Sequence, residues 1–358
     1  MVENITRPVT RCCYDKLIDM KVMRHIIVMM ILLINAVIAF GQDPSFSQFF
    51  ASPLNINPAL TARINSKWRV IANVRDQWIG PASPYASSTI SYDTRALEKY
   101  MSETSVFGIG GMLMYNSSMR GIHKASFASL NFSYNVLLAE GDAEHRIGIG
   151  IGGIYGNKTV DFSRLYFAEQ FIGTGFDQNL PTGESSLSEM KPYLSSTAGV
   201  LYSISSTYSN FDIGAAAFHL NKPKQTFLED KNQYLPIRYV AHANFETYLT
   251  DEFLFNTNAI YQQQAATNYF SVGGAIGYYL TRDYSNQTDV LLNAGLWYWS
   301  NNAIVPYLGF TYQSFQVGLS YDITISKLRQ AERKPKTFEI SLIIRGDKKE
   351  GIIWCPWK

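Results

Sequence analysis

Charge is scarce in this 358-residue chain. Only 17% of the residues are Asp, Glu, Lys or Arg, and 31 cations against 29 acids leave a formal charge of +2. Nothing in that balance points to a nucleic-acid partner, which calls for a basic surface. Cysteine is scarcer still. Cys12 and Cys13 precede an apolar run at 26–40 and Cys355 alone follows it, so the chain beyond the run cannot close an internal disulfide. No Cys stands directly after the run, which argues against a lipoprotein anchor. Beyond residue 41 there is also no apolar stretch of the roughly 20 residues that a membrane-spanning helix needs. Site motifs are missing too. His123, His145, His219 and His242 lie far apart, with no His-Glu-x-x-His pair and no cysteine partner, so no metal, no cofactor and no catalytic residue is expected.

The amino-terminal segment fixes the compartment. Lys16, Lys21, Arg24 and His25 precede Ile26 to Phe40 (IIVMMILLINAVIAF), and Ala39-Phe40-Gly41 is a small-x-small pattern before Gln42. This is the layout of a secretory signal peptide, with cleavage expected between Gly41 and Gln42. A transmembrane anchor is the alternative, but the uncharged run is only about 15 residues long and no basic flank follows it. The region before Met23 is long for such a leader, so translation could start at Met20 or Met23.

The chain has 23 Tyr, 21 Phe and 25 Gly, and 46% of it is hydrophobic, a strand-favouring composition. Periodicity decides what kind of strands. In ASLNFSYNV, Ala128, Leu130, Phe132, Tyr134 and Val136 alternate with Ser129, Asn131, Ser133 and Asn135. Around residue 244 the polar face includes His242, Asn244 and Glu246. Phe315, Val317, Leu319 and Tyr321 alternate with Gln316, Gly318, Ser320 and Asp322, and Phe338, Ile340, Leu342 and Ile344 with Glu339, Ser341, Ile343 and Arg345. A period of two, apolar on one face and Gly, Ser, Asn or Gln on the other, predicts an all-β transmembrane barrel, oily outside and moist within.

Strands are expected at 67–78, 84–93, 104–115, 124–138, 144–157, 193–204, 208–219, 237–249, 252–263, 269–280, 288–299, 303–312, 314–325 and 336–345. Their even number, about fourteen, suits an antiparallel barrel with both termini on the periplasmic side. Trp68, Trp78, Tyr85, Tyr92, Tyr115, Tyr202, Tyr261, Tyr298, Tyr307 and Tyr321 are expected in its aromatic belts. A secreted soluble sandwich is the alternative, and it would carry Lys and Glu on the polar face instead. Gly148 to Gly153 (GIGIGG) superficially resembles a dinucleotide loop but continues the alternation, which excludes the strand-to-helix turn such a loop requires. Small residues there let another element, such as a plug, approach closely. The long join 158–192 holds Asp161, Glu169, Asp177, Glu184 and the apolar LYFAEQF at 165–171. That stretch could fold inward, cover a mouth, or be a solvated loop.

The expected organisation is a signal peptide at 1–41, an extension at 42–66, a barrel at 67–345 and a tail at 346–358. The extension, DPSFSQFFASPLNINPAL from residue 43, carries Pro44, Pro53 and Pro58, which forbid a regular ladder. Its Phe46, Phe49, Phe50, Leu54 and Ile56 are too apolar to remain solvated. It is therefore expected to pack, either inside the lumen or against a partner. Asp43, Pro44, Phe46, Ser47, Gln48, Pro53, Asn57 and Pro58 are the candidate docking residues.

These same residues carry a resemblance. Gln42-Asp43-Pro44-x-Phe46-Ser47-Gln48 with Pro53-x-x-x-Asn57-Pro58-Ala59 resembles the start of the PorP/SprF-type outer-membrane proteins of the type IX secretion system in Bacteroidetes. The resemblance continues in Asn73-x-Arg75-x-Gln77-Trp78, Tyr92-Asp93, His219-Leu220-Asn221-Lys222-Pro223, Leu235-Pro236-x-Arg238-Tyr239, Tyr321-Asp322, Phe338-Glu339-Ile340-Ser341-Leu342 and Cys355-Pro356. It spans essentially all of the chain after the leader. Thr61-Ala62 departs from it where a glycine would be expected. The resemblance implies a 14-stranded barrel of the fatty-acid-transporter kind, integral to the outer membrane and in contact with its lipid. It also implies a non-enzymatic part of the secretion and gliding machinery. The implied partners are a secreted cargo protein or its C-terminal sorting domain, and machinery subunits such as the periplasmic ring and its peptidoglycan-linked component. A channel for hydrophobic small molecules is the alternative function.

Overall fold

The residues that alternate in the sequence form strands whose two faces separate oil from polar side chains. The computed structural model describes residues 43–80, 83–102, 104–184, 190–226, 233–281 and 289–348. The expected leader, its cleavage point at Gly41 and Gln42, and Cys355-Pro356 lie outside the described residues. Strands β1 (Ser66–Ile79), β2 (Tyr85–Ala96), β3 (Ser105–Ser118), β4 (His123–Ala139) and β5 (Glu144–Val160) are followed by β6 (Tyr193–Ser205), β7 (Ser209–Phe218) and β8 (Arg238–Tyr248). Then come β9 (Phe253–Gln264), β10 (Thr267–Thr281), β11 (Val290–Trp299), β12 (Ala303–Tyr312), β13 (Phe315–Tyr321), β14 (Ile323–Thr324) and β15 (Lys336–Lys348).

Every neighbour pair is antiparallel, and β1 pairs with both β2 and β15, so the sheet closes on itself. Segments β13 and β14 are two pieces of one strand broken at Asp322, so the wall has fourteen staves. The break has a local cause. Pro306 on β12 stands opposite this point and has no N–H for the ladder. Closure removes every sheet edge, which a bilayer demands because lipid cannot satisfy backbone polar groups.

The faces follow the alternation. Leu130 is 51% exposed while Asn131, one residue on, is 1% exposed. Ile147, Ile149 and Ile151 point outward, and Gly148 and Gly150 point into the lumen. Strand β15 passes the expected barrel end at 345 and pairs Lys348 with Ser66. One residue expected in the belts lies elsewhere. Tyr307 is 2% exposed and faces the lumen, because Ala303, Val305 and Tyr307 on the inner face of β12 meet an apolar body there. That part of the lumen is lined by packed apolar side chains, contrary to a uniformly polar interior.

The joins 161–192, 219–237 and 325–335 lie at the end of the barrel where β1 finishes, hereafter the loop end. The opposite end holds the start of β1 and the end of β15. The described part of the first join stays outside the lumen instead of folding inward. Its Tyr166, Phe171 and Phe176 pack on one another at 5.2 and 5.1 Å and remain exposed.

Candidate functional site: a plugged lumen

The site is the interior of the barrel, and the segment from Pro44 to Asn65 fills it. Prolines dictate its local form. Pro53 and Pro58 open two of three short 3-10 turns (Phe49–Ala51, Pro53–Asn55, Pro58–Leu60), where a missing N–H costs nothing. Asn57 caps the third turn, its Oδ1 accepting from the Ala59 N–H at 2.9 Å. The result is a compact run of turns with apolar side chains on several sides.

At the loop end, the plug's head sits on a charged cluster. The Ser47 and Gln48 N–H groups donate to the two carboxylate oxygens of Glu339 at 2.7 and 3.1 Å. Ser47 Oγ donates to Asp322 at 2.8 Å. The Gln48 side chain donates to Ser320 Oγ and the Glu339 carbonyl, each at 3.0 Å, and accepts from Ser341 Oγ at 2.6 Å. Arg75 binds the cluster together. It meets Asp322 at 2.7 Å and Glu339 at 3.5 Å, donates to the Ser45 carbonyl, and lies 4.7 Å over the Trp299 ring. Asn73 Nδ2 donates to Glu339 at 3.0 Å.

The middle of the plug crosses the lumen. Arg238 donates to the Asn55 carbonyl at 3.1 Å while stacked 4.0 Å over Phe218. Asn57 Nδ2 donates to the Val200 carbonyl at 2.9 Å and lies 3.0 Å from His242 Nε2. Two wall glycines make room. A Cβ on Gly150 would stand 2.2 Å from the Ala59 nitrogen, and one on Gly199 2.0 Å from Asn57 Oδ1, so the plug backbone could not seat against larger residues. Phe49, Phe50 and Ile56 pack on Phe218, Val240, Ile260, Trp297, Val305 and Tyr307. Phe50 meets Trp297 and Tyr307 at ring distances of 5.0 and 5.5 Å. Phe46 and Leu54 pack on Met112 and Met114. Each aromatic buried here contributes roughly 1.5–3 kcal/mol.

The foot of the plug is fixed where β1 begins. The Ala62 N–H donates to Asp93 at 2.7 Å, and Arg69 holds the same carboxylate with two bonds of 3.0 and 2.8 Å. Arg95 donates to the Ile64 carbonyl, Ser133 Oγ to the Thr61 carbonyl at 2.6 Å, and Arg63 pairs with Asp212 at 3.5 Å. The segment therefore runs the length of the lumen, from the loop end to the opposite end, before turning into β1.

Of the candidate docking residues, Pro44, Phe46, Ser47, Gln48, Pro53, Asn57 and Pro58 are buried, and Asp43 is half-buried. The receiving wall residues were not singled out as a site from the sequence. Yet Asn73, Arg75, Asp93, Arg238, Asp322, Glu339 and Ser341 all lie in the short stretches quoted from the sequence, and they converge on the plug. Mutual proximity was the missing information. A charged side chain on the inner face of a membrane strand is the signal that could have found them. No group of three metal-ligating side chains occurs among the described residues; His242 faces Asn57, His219 faces Ser195 at 2.7 Å, and His145 faces Tyr202 at 2.7 Å.

Comparison with known proteins adds the following. A family model described as "Type IX secretion system membrane protein PorP/SprF" matches residues 38–344. No curated protein matches the chain. Among solved structures, the chain is similar to the Pseudomonas putida toluene transporter TodX, with 9% identity, 82% of this chain and 93% of that chain covered, and a TM-score of 0.44. It is also similar to the Ralstonia pickettii toluene transporter TbuX, with 10% identity, 81% and 92% covered, and a TM-score of 0.42. CdiB from Acinetobacter baumannii matches at 10% identity, 77% and 60% covered, with a TM-score of 0.40.

Proposed function

Because the chain belongs to the PorP/SprF family of type IX secretion system membrane proteins, we propose that it is a sealed, non-catalytic platform in the outer membrane. In this reading it binds a secreted protein, or that protein's C-terminal sorting domain, and helps to export it or hold it at the cell surface, in contact with other machinery subunits. The observation that carries the reading is the plug. Residues 44–65 occupy the lumen with buried charges and backbone hydrogen bonds on all sides, which favours recognition on outer surfaces over passage through the wall. The exposed aromatics of 161–184 offer such a surface, since clustered apolar side chains at a polar rim mark interaction sites.

The test is affinity capture of the tagged barrel from its native membrane, paired with planar-bilayer conductance. Recovery of cargo or machinery subunits by the full chain, lost on deleting 163–182, together with a closed baseline, supports the reading. Steady conductance or uptake of apolar solutes by the unaltered barrel, with only lipid and unrelated porins recovered, overturns it in favour of a hydrophobic channel. Deleting 43–60 separates two roles of the extension. A folded, heat-modifiable barrel that has lost capture means the extension supports docking. Loss of the folded barrel means it is needed for the wall itself.

A further inference from the structure

The join between β14 and β15 carries a charge pattern that the platform reading does not use. Lys327, Arg329, Arg333, Lys334 and Lys336 fall within ten residues, with Glu332 the one acid among them. All five cations are exposed, and none is paired with a carboxylate among the described residues. Five cations against one acid at one place make a strong local field in a chain whose overall charge is close to zero.

Its height on the barrel is set by register. Lys336 pairs with Ile79 across the β1–β15 seam. Beside it stands Trp78, 42% exposed, with Tyr85 at 6.4 Å, an amphipathic aromatic pair at the loop end of the wall. Such pairs mark the level of lipid headgroups. The Trp78 N–H donates to Thr337 Oγ1 at 3.3 Å, tying the belt to the start of β15. Immediately below, Ile323 and Phe338 face outward into the hydrocarbon, and Leu328 is exposed within the basic segment itself. The segment also folds down on the β1–β2 hairpin, its Lys334 carbonyl packed against Gly80. Lys336 and the Arg333–Lys334 stretch beside Gly80 thus meet the Trp78–Tyr85 pair at the loop end of the β1–β15 seam, with Leu328 exposed a few residues before them.

We propose that residues 327–336 form a binding site for the phosphate groups of membrane lipid in the loop-end leaflet. The occupant is lipid and not an acidic soluble protein, because Lys336 lies on the outer face of β15, two residues from the outward Phe338 and beside the Trp78–Tyr85 pair, and the other four cations lead directly into it. Lysine and arginine at that level recognise phosphate by charge and by paired hydrogen bonds, while Leu328 enters the acyl boundary.

The test uses the full mature barrel in detergent, incubated with an equimolar mixture of lipid A and phosphatidylcholine, with bound lipid counted by native mass spectrometry. Wild type retains lipid A over phosphatidylcholine, and K327Q/R329Q/R333Q/K334Q/K336Q lowers that retention at least about 10-fold. Heat-modifiability reports folding. If the fivefold variant does not fold, R333Q/K336Q provides the same comparison with a smaller loss. Inorganic phosphate at the same concentration leaves lipid A bound. Equal retention by wild type and folded variant overturns the site. So does displacement by inorganic phosphate, or charge-dependent capture of an acidic soluble protein without lipid preference.

Discussion

Replacing Arg75 by methionine keeps the aliphatic volume and removes the charge at the head of the plug. Arg75 is fully buried, and its guanidinium bridges Asp322 at 2.7 Å, Glu339 at 3.5 Å and the Ser45 carbonyl. Its loss strands two carboxylates inside the wall. Removing one partner of a buried ion pair costs about 3–5 kcal/mol, most of it the burden of the charge left behind. The wall is held by backbone ladders, including the one in which Arg75 pairs with Glu339, and a side-chain change leaves their N–H and C=O groups in place, so the cost falls mainly on seating the plug. At about 1.4 kcal/mol per tenfold, local opening becomes roughly a hundred to a few thousand times more frequent. Hydrogen exchange of the barrel in nanodiscs measures this directly, since the Ser47 and Gln48 amides are protected only while bonded to Glu339. Exchange in 44–60 should accelerate by that factor while β4 and β5 remain unchanged. Adding Asp322→Asn and Glu339→Gln should restore part of the protection. Unchanged exchange at Ser47 and Gln48 in folded R75M would refute the idea that the ion cluster holds the head of the plug.

Three further outcomes are expected. Gly150→Val places a Cβ 2.2 Å from the Ala59 nitrogen; overpacking against backbone should cost about 2–3 kcal/mol or more, seen as faster exchange at 57–62 and increased bilayer conductance. Phe50→Ala removes a ring packed on Trp297 and Tyr307 and should lower stability by about 3 kcal/mol, measured by urea unfolding in micelles with the tryptophan emission of this pocket as the signal. Leu130→Arg, on the lipid face near mid-strand, should cost about 2–4 kcal/mol, and Asn131→Arg, on the inner face, distinctly less; refolding yields into liposomes compare the two, and equal tolerance would mean the faces are reversed.

The strands were legible because the bilayer enforces a strict rule on each. A segment such as 128–136 must be apolar at every second residue to face lipid, and this local constraint gives both its existence and its orientation. The expected boundaries fall within a few residues of β1 to β15 for the same reason. The inner face obeys no comparable rule. Alternation placed His242, Glu246, Asp322 and Glu339 inside, but could not say that Asp322 and Glu339 share one arginine, Arg75, about 250 positions or more earlier in the chain. Tyr307 shows the limit from the other side. A tyrosine in a membrane strand suits a belt, and only the proximity of Phe50 and Trp297 explains why it lies inward.

Pro44, Pro53 and Pro58 likewise settled what the extension could not be, since a chain without those N–H groups cannot join a ladder, and its phenylalanines required a covering surface. Which surface covers them was decided by the closed wall. Glycines at 150 and 199 leave space, arginines at 75 and 238 supply donors, and both become neighbours of the extension only when fourteen staves are rolled shut around it. The periodicity of the chain thus determined a membrane barrel by itself, because contact with lipid is a local demand on each residue. The filling of that barrel is a matter of distant residues meeting, and only the tertiary structure decides it.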